Sequence, residues 1–223
     1  MAMVLEGGCR VSTMREGVPT VSGSLKIWNQ IGNANGAEAI SLRILEFGPG
    51  ASPSLRNREC DEVLYLLEDL DDERSCTVFI DGNSYEVSSQ TGIYLRPGQT
   101  LTVQNSGPYA VRFVSSQCPE EAFTGTVEIL LDHPAPAYSA PIVRLSDRRA
   151  LPTADRWYRV LVDEEIGSEQ VTQFVGSIPP GRAPDHFHEY EEVLFILRGE
   201  GRMWAGETNT PIGPGSCIYL PKR

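Results

Sequence analysis

The sequence predicts an all-β chain made of two copies of one domain. Three observations carry that expectation: short apolar runs separated by turn residues, near absence of helical periodicity, and an internal repeat. The runs are Ser41–Phe47 (SLRILEF), Glu62–Leu67 (EVLYLL), Thr77–Ile80 (TVFI), Gly92–Leu95 (GIYL), Thr100–Gln104 (TLTVQ) and Ala110–Val114 (AVRFV). They have strand length and are rich in β-branched and aromatic residues. The 21 Gly and 16 Pro of the 223-residue chain punctuate them. Asp81-Gly82-Asn83, between TVFI and SYEV, carries the left-handed turn residues of a tight hairpin and fixes one antiparallel pair. Many short strands so spaced read as a barrel or sandwich.

The repeat organises the chain. The segment from Arg10 to Thr20 matches that from Val143 to Thr153, with the Pro-Thr pair in register. Glu62-Val63-Leu64-Tyr65-Leu66-Leu67 parallels Glu192-Val193-Leu194-Phe195-Ile196-Leu197, and Ile93-Tyr94-Leu95 parallels Ile218-Tyr219-Leu220. The stretch from Asp132 to Pro141, with its Pro and Ala residues, has a linker's composition. The expected division is therefore an N-terminal domain over 1–118, a linker over 119–141 and a C-terminal domain over 142–223.

Composition narrows the function classes. Hydrophobic residues make up 40% and charged residues 22%, an ordinary globular balance that excludes wholesale disorder, collagen or coiled coil. A net charge of −11 would repel phosphate backbones and anionic lipid surfaces, which argues against nucleic acid or membrane partners. Apolar runs such as Val193–Leu197 fall far below the roughly 18 residues of a membrane span. The N-terminus has no basic start or apolar stretch of signal-peptide length, so a cytoplasmic location is expected. Cys9, Cys60, Cys76, Cys118 and Cys217 form no Cys-x-x-Cys pair and read as reduced, mostly buried thiols.

Candidate chemistry lies in the second copy. Of the three histidines in the chain, His186 and His188 stand at i and i+2, which on a strand directs both rings to one face. Glu192 opens the next apolar run, so a tight turn would bring its carboxylate opposite them. Two imidazoles and a carboxylate suit iron, manganese, nickel, copper or zinc and leave coordination positions open for a substrate. An alternative is a polar exposed face, but Phe187 between the histidines and the doubly apolar run Val193–Leu197 argue for a buried strand. Leu194 and Ile196 share the parity of Glu192 and are expected to line the interior, with Phe174 and Met203 as further candidates. Trp28, Trp157 and Trp204 are read as core or interface packing.

This segment resembles the first motif of the cupin superfamily: His-x-His, three or four residues, Glu, six residues, Gly. His186, His188, Glu192 and Gly199 supply it, preceded by Gly181 near the family's leading glycine. The second family motif begins Gly, five residues, Pro, as do Gly215 and Pro221. The resemblance, to a two-domain or bicupin protein, covers nearly the whole chain. It implies two tandem double-stranded β-helix (jelly-roll) barrels, one divalent transition metal (Fe, Mn, Ni, Zn or Cu) on His186, His188 and Glu192, and association into a homodimer or higher oligomer.

Two departures shape what is expected. The family's remaining histidine, past the motif-two proline, has no counterpart. The second copy also lacks partners for the first copy's Thr100–Gln104 and Ala110–Val114, so its barrel is expected to be C-terminally truncated. His133 as a substitute ligand is read instead as a solvated linker side chain. The first copy keeps Glu62 but has Arg56 and Arg58 where the histidines should be, and guanidinium cannot ligate a metal. That degenerate site has two readings: an anion-binding pair with Glu62, or solvent-facing arginines, favoured because two buried cations are costly.

For function, the resemblance implies a metal-dependent oxidoreductase, of dioxygenase type, on a small aromatic or enolic substrate. The alternative is a non-catalytic, metal-bearing module that binds or senses a small molecule. No catalytic group beyond the ligands is identified.

Overall fold

A computed structural model describes residues 2–70, 75–121, 141–182 and 186–223. The linker stretch 122–140, with His133, lies outside them. Among the described residues the fold is all-β save three 3-10 turns, at Glu6–Gly8, Asn33–Asn35 and Leu145–Asp147. No helix among the described residues is long and apolar enough to cross a membrane.

The first unit is a two-sheet barrel. One sheet orders its strands Ile142–Arg144, Thr91–Leu95, Asp61–Leu66, Val111–Cys118, Leu42–Phe47, Leu25–Ile31 and Thr20–Ser22. The facing sheet runs Asn83–Glu86, Cys76–Ile80, Thr100–Asn105 and Gly50–Ala51, with Leu55–Arg56 also on Thr100–Asn105. Alternate residues of both sheets turn inward, so Leu45, Phe47, Leu64, Leu66, Val78, Ile80, Ile93, Leu101, Val103 and Phe113 make one dry core. The predicted hairpin is present: Asp81 and Gly82 take φ of 49° and 78°, and Ile80 pairs with Asn83. Four cysteines are buried and Cys118 is half-buried; all five are free, as expected.

The second unit repeats the plan with less sheet. Leu151–Thr153, Arg156–Val162 and Gln173–Ser177 form one ribbon, and Gly201–Ala205 pairs with Thr208–Ile212. The strand opened by Glu192 (Glu192–Phe195) pairs with Ser216–Leu220. Here the two copies exchange strands. Arg10–Thr13, from the first copy, pairs with Ser216–Leu220 of the second, Val11 opposite Ile218. Ile142–Arg144, from the second, pairs with Thr91–Leu95 of the first, Ile142 opposite Ile93. Strand pairing thus crosses the division expected from the linker. The pairing equates Val11 with Ile142, two residues off the sequence match, which preserves each strand's inward face.

Two apolar clusters join the units. Val63, Tyr65 and Tyr94 pack on Leu161, Val162 and Val171, while Trp28, Ile31, Leu42 and Ile44 pack on Cys217 and Tyr219. Trp28 fills the interface as expected. Trp157 and Trp204 do not: they are 39% and 44% exposed, and each lies by a guanidinium, Arg159 at 5.5 Å and Arg182 at 5.3 Å.

Candidate metal centre

On the strand Glu192–Phe195, even residues turn into the second unit. Leu194 and Ile196 pack with Met203 and Ile212 around Val11, Ala205 and Ile218. Val193 and Phe195 face the first unit instead. Glu192 therefore points inward, and its side chain is 15% exposed. Phe174 is exposed and lies edge-on to Tyr158 at 6.0 Å, away from the interior role expected of it.

His188 Nε2 lies 3.2 Å from Glu192 Oε2. The His186 ring, exposed, stands edge-on to that of His188, centroids 5.1 Å apart. Tyr190, absent from the sequence reading, stacks on His188 at 4.8 Å, and the Arg223 N–H donates to the His188 carbonyl at 2.9 Å. Burial pushes the Glu192 carboxyl above its usual range, opposed by His188 and His186.

Two donors bonded at about 2.1 Å to one ion stand roughly 3.0–3.4 Å apart in octahedral or tetrahedral geometry. The His188–Glu192 separation of 3.2 Å fits a shared ion, and the donor set suits a first-row divalent metal. Among the described residues no three His, Cys, Asp or Glu side chains are already gathered as a metal cage, so His186 would have to swing in. The cleft of about 380 Å³ lined by Val160, Asp163, Glu164 and Ser168 to Thr172 includes none of the three candidate ligands.

The first unit answers differently. Glu62 is 1% exposed, but Arg56 and Arg58 turn out to solvent and Asn57 between them is buried. The cation that meets Glu62 is Arg43, whose Nη2 lies 2.5 Å from Glu62 Oε1 and 3.1 Å from Ser115 Oγ. Ser115 Oγ donates to the same Glu62 oxygen and Gln117 Nε2 to the other. A fixed guanidinium thus occupies the carboxylate that the repeat equates with Glu192. Its signal was present in SLRILEF: Arg43 shares the inward parity of Leu45 and Phe47.

Residues 174–223 match the cupin domain family. No curated protein matches the chain. Among solved structures, the putative glyoxylate-induced protein of Pseudomonas aeruginosa is similar over 100% of this chain and 83% of its own, with TM-score 0.75 and 18% identity. YlbA of E. coli is similar over 99% and 86%, with TM-score 0.67 and 16% identity. Bacillus subtilis oxalate decarboxylase, a protein with Mn(II) centres, is similar over 95% and 71%, with TM-score 0.72 and 13% identity. Residues 174–223 thus carry a cupin domain, and the fold of the chain is that of two-barrel cupins.

Proposed function

We propose that the chain is a metal-dependent cupin enzyme in which His186, His188 and Glu192 hold one divalent transition ion in the second unit. The observation that carries this reading is the 3.2 Å approach of His188 Nε2 to an inward, burial-perturbed Glu192 beside a second imidazole. The ion would supply Lewis acidity to a substrate oxygen. The chain's own groups orient it: Tyr190 and the Arg223 amide fix His188, and Leu194, Ile196 and Met203 give an apolar wall.

For the reaction we keep a dioxygenase type acting on a small aromatic or enolic substrate. The similarity to oxalate decarboxylase adds small carboxylates to the substrates worth testing. The second reading, binding without turnover, draws on the exposure of His186, a wetter setting than most chemistry favours.

Elemental analysis of purified protein should find about one transition ion per chain, lost in His188→Ala and Glu192→Ala and kept in Glu62→Gln. Equal loss in all three would overturn the assignment. Oxygen uptake with enols and carbon dioxide release from oxalate then separate the two reactions, and silence in both with metal bound favours the binding module. A homodimer or higher oligomer is also proposed, to be checked by light scattering.

A further inference from the structure

The residue before each motif glutamate reaches out of its own unit and grips the other. Asp61, beside Glu62, is 2% exposed, and its Oδ2 accepts the backbone N–H groups of Glu169 and Gln170 at 2.8 and 2.9 Å. The Tyr94 hydroxyl sits between Asp61 Oδ1, at 2.6 Å, and the Gly167 carbonyl, at 2.7 Å. In mirror fashion Glu191, beside Glu192, accepts the N–H groups of Glu38, Ala39 and Ile40 at 2.6, 2.8 and 3.1 Å. The Tyr219 hydroxyl sits between Glu191 Oε1, at 2.5 Å, and the Gly36 carbonyl, at 3.2 Å. Tyr94 and Tyr219 are equivalent in the repeat, as are the loops gripped, each joining the two long strands that open its unit.

The two latches match in chemistry but not in what they restrain. The strand Asp61–Leu66 is paired on both edges, with Thr91–Leu95 and with Val111–Cys118, so its position is already set. Among the described residues the strand Glu192–Phe195 pairs on one edge only. Successive residues of a strand point to opposite faces, so pinning the Glu191 side chain fixes the roll and height of the backbone that presents Glu192 inward. Three hydrogen bonds from the first unit, with a fourth from Tyr219 of the paired strand, stand in for a second sheet neighbour.

We infer that Glu191, with Tyr219, is a positioning residue for the metal centre, so the metal-free first unit holds the second unit's carboxylate ligand in place. This rests on the metal reading above. Groups that orient metal ligands are typically worth 10–100-fold in affinity.

The test is Mn(II) titration of the full chain, by electron paramagnetic resonance of the free ion, together with amide hydrogen exchange. Glu191→Gln should weaken Mn(II) binding about tenfold or more. Its mirror variant, Asp61→Asn, cuts the same kind of interface bond and should change affinity less than about threefold. Glu191→Gln should also speed exchange at Val193 to Phe195, whereas Asp61→Asn should leave exchange at Val63 to Leu66 slow. Equal weakening by both variants would reduce Glu191 to ordinary interface stability, and no weakening by either would refute its role. Wild-type protein that takes up no Mn(II), nor any other divalent ion, would refute the metal reading; the exchange contrast still decides whether Glu191 fixes the strand.

Discussion

The two units share one strand plan, yet the carboxylate inside the first is closed by an ion pair with arginine and that of the second stands against imidazole. In the first, Glu62 is met by Arg43, Ser115 and Gln117, three side chains on two strands, Leu42–Phe47 and Val111–Cys118. In the second, among the described residues, the equivalent carboxylate meets imidazole, and burial raises its proton affinity. A β barrel with a carboxylate at its mouth thus has two ways to neutralise it. A guanidinium carried on a neighbouring strand makes a scaffold, and histidines arriving from outside the strands would, under the proposed function, make a site that can exchange its cation.

The most severe way to break this contrast is to remove the internal cation. Arg43→Met should leave Glu62 buried with an uncompensated charge and cost about 3–5 kcal/mol in chemical denaturation. The double variant Arg43→Met/Glu62→Leu should recover most of that loss, because two apolar groups of similar volume tolerate the same interior. Neither should alter metal content. If Arg43→Met alone is neutral, the ion pair is not what closes the first barrel.

A second comparison uses equivalent leucines. Leu64 is fully buried between two packed sheets, whereas Leu194 is half-buried on a strand that, among the described residues, has a single neighbour. Leu64→Ala should cost about 3–5 kcal/mol through lost burial and a cavity. Leu194→Ala should cost about 1–2 kcal/mol, because less surface leaves water when the strand packs. Equal losses in thermal or denaturant unfolding would mean that the second interior is as well packed as the first.

The sequence carried the strands because period-two alternation and turn residues are local signals, but the buried strand expected at His186 to His188 is not formed: those residues belong to no strand, and His186 and Phe187 are exposed. What it hid are contacts between segments far apart in the chain. Arg56 and Arg58 drew attention because they stand at the histidines' positions, yet Leu55 and Asn57 own the inward parity there and the arginines face water. Arg43 supplies the charge from a strand never aligned with the motif. The exchange of Arg10–Thr13 and Ile142–Arg144 is likewise a tertiary choice that no local pattern encodes. The latches were half visible: an acidic residue precedes the motif glutamate in both copies, Asp61 and Glu191, and Tyr94 and Tyr219 lie in matched runs. Only the fold shows that these residues face the opposite unit.

The gentlest probe of the difference is pH. Burial opposes ionisation of Glu191, but the Tyr219 hydroxyl and the amides of Glu38, Ala39 and Ile40 outweigh it and hold the carboxyl below its usual range. A group whose pKa is lower folded than unfolded stabilises the fold fully above its unfolded value, roughly 4.3–4.5 for glutamate. That contribution fades as pH falls through the lowered folded value. Glu191→Gln keeps an acceptor but not the charge, so about 1 kcal/mol should be lost at pH 7, the low end for charge-assisted bonds at a half-buried site. The gap between wild type and variant should then shrink as pH falls from the unfolded value through the lowered folded one, below which the wild-type carboxyl is protonated as well. Urea midpoints taken between pH 3 and pH 7 measure it directly. Curves that stay parallel over that range would mean that the latch holds through the shape of the side chain and not through its charge.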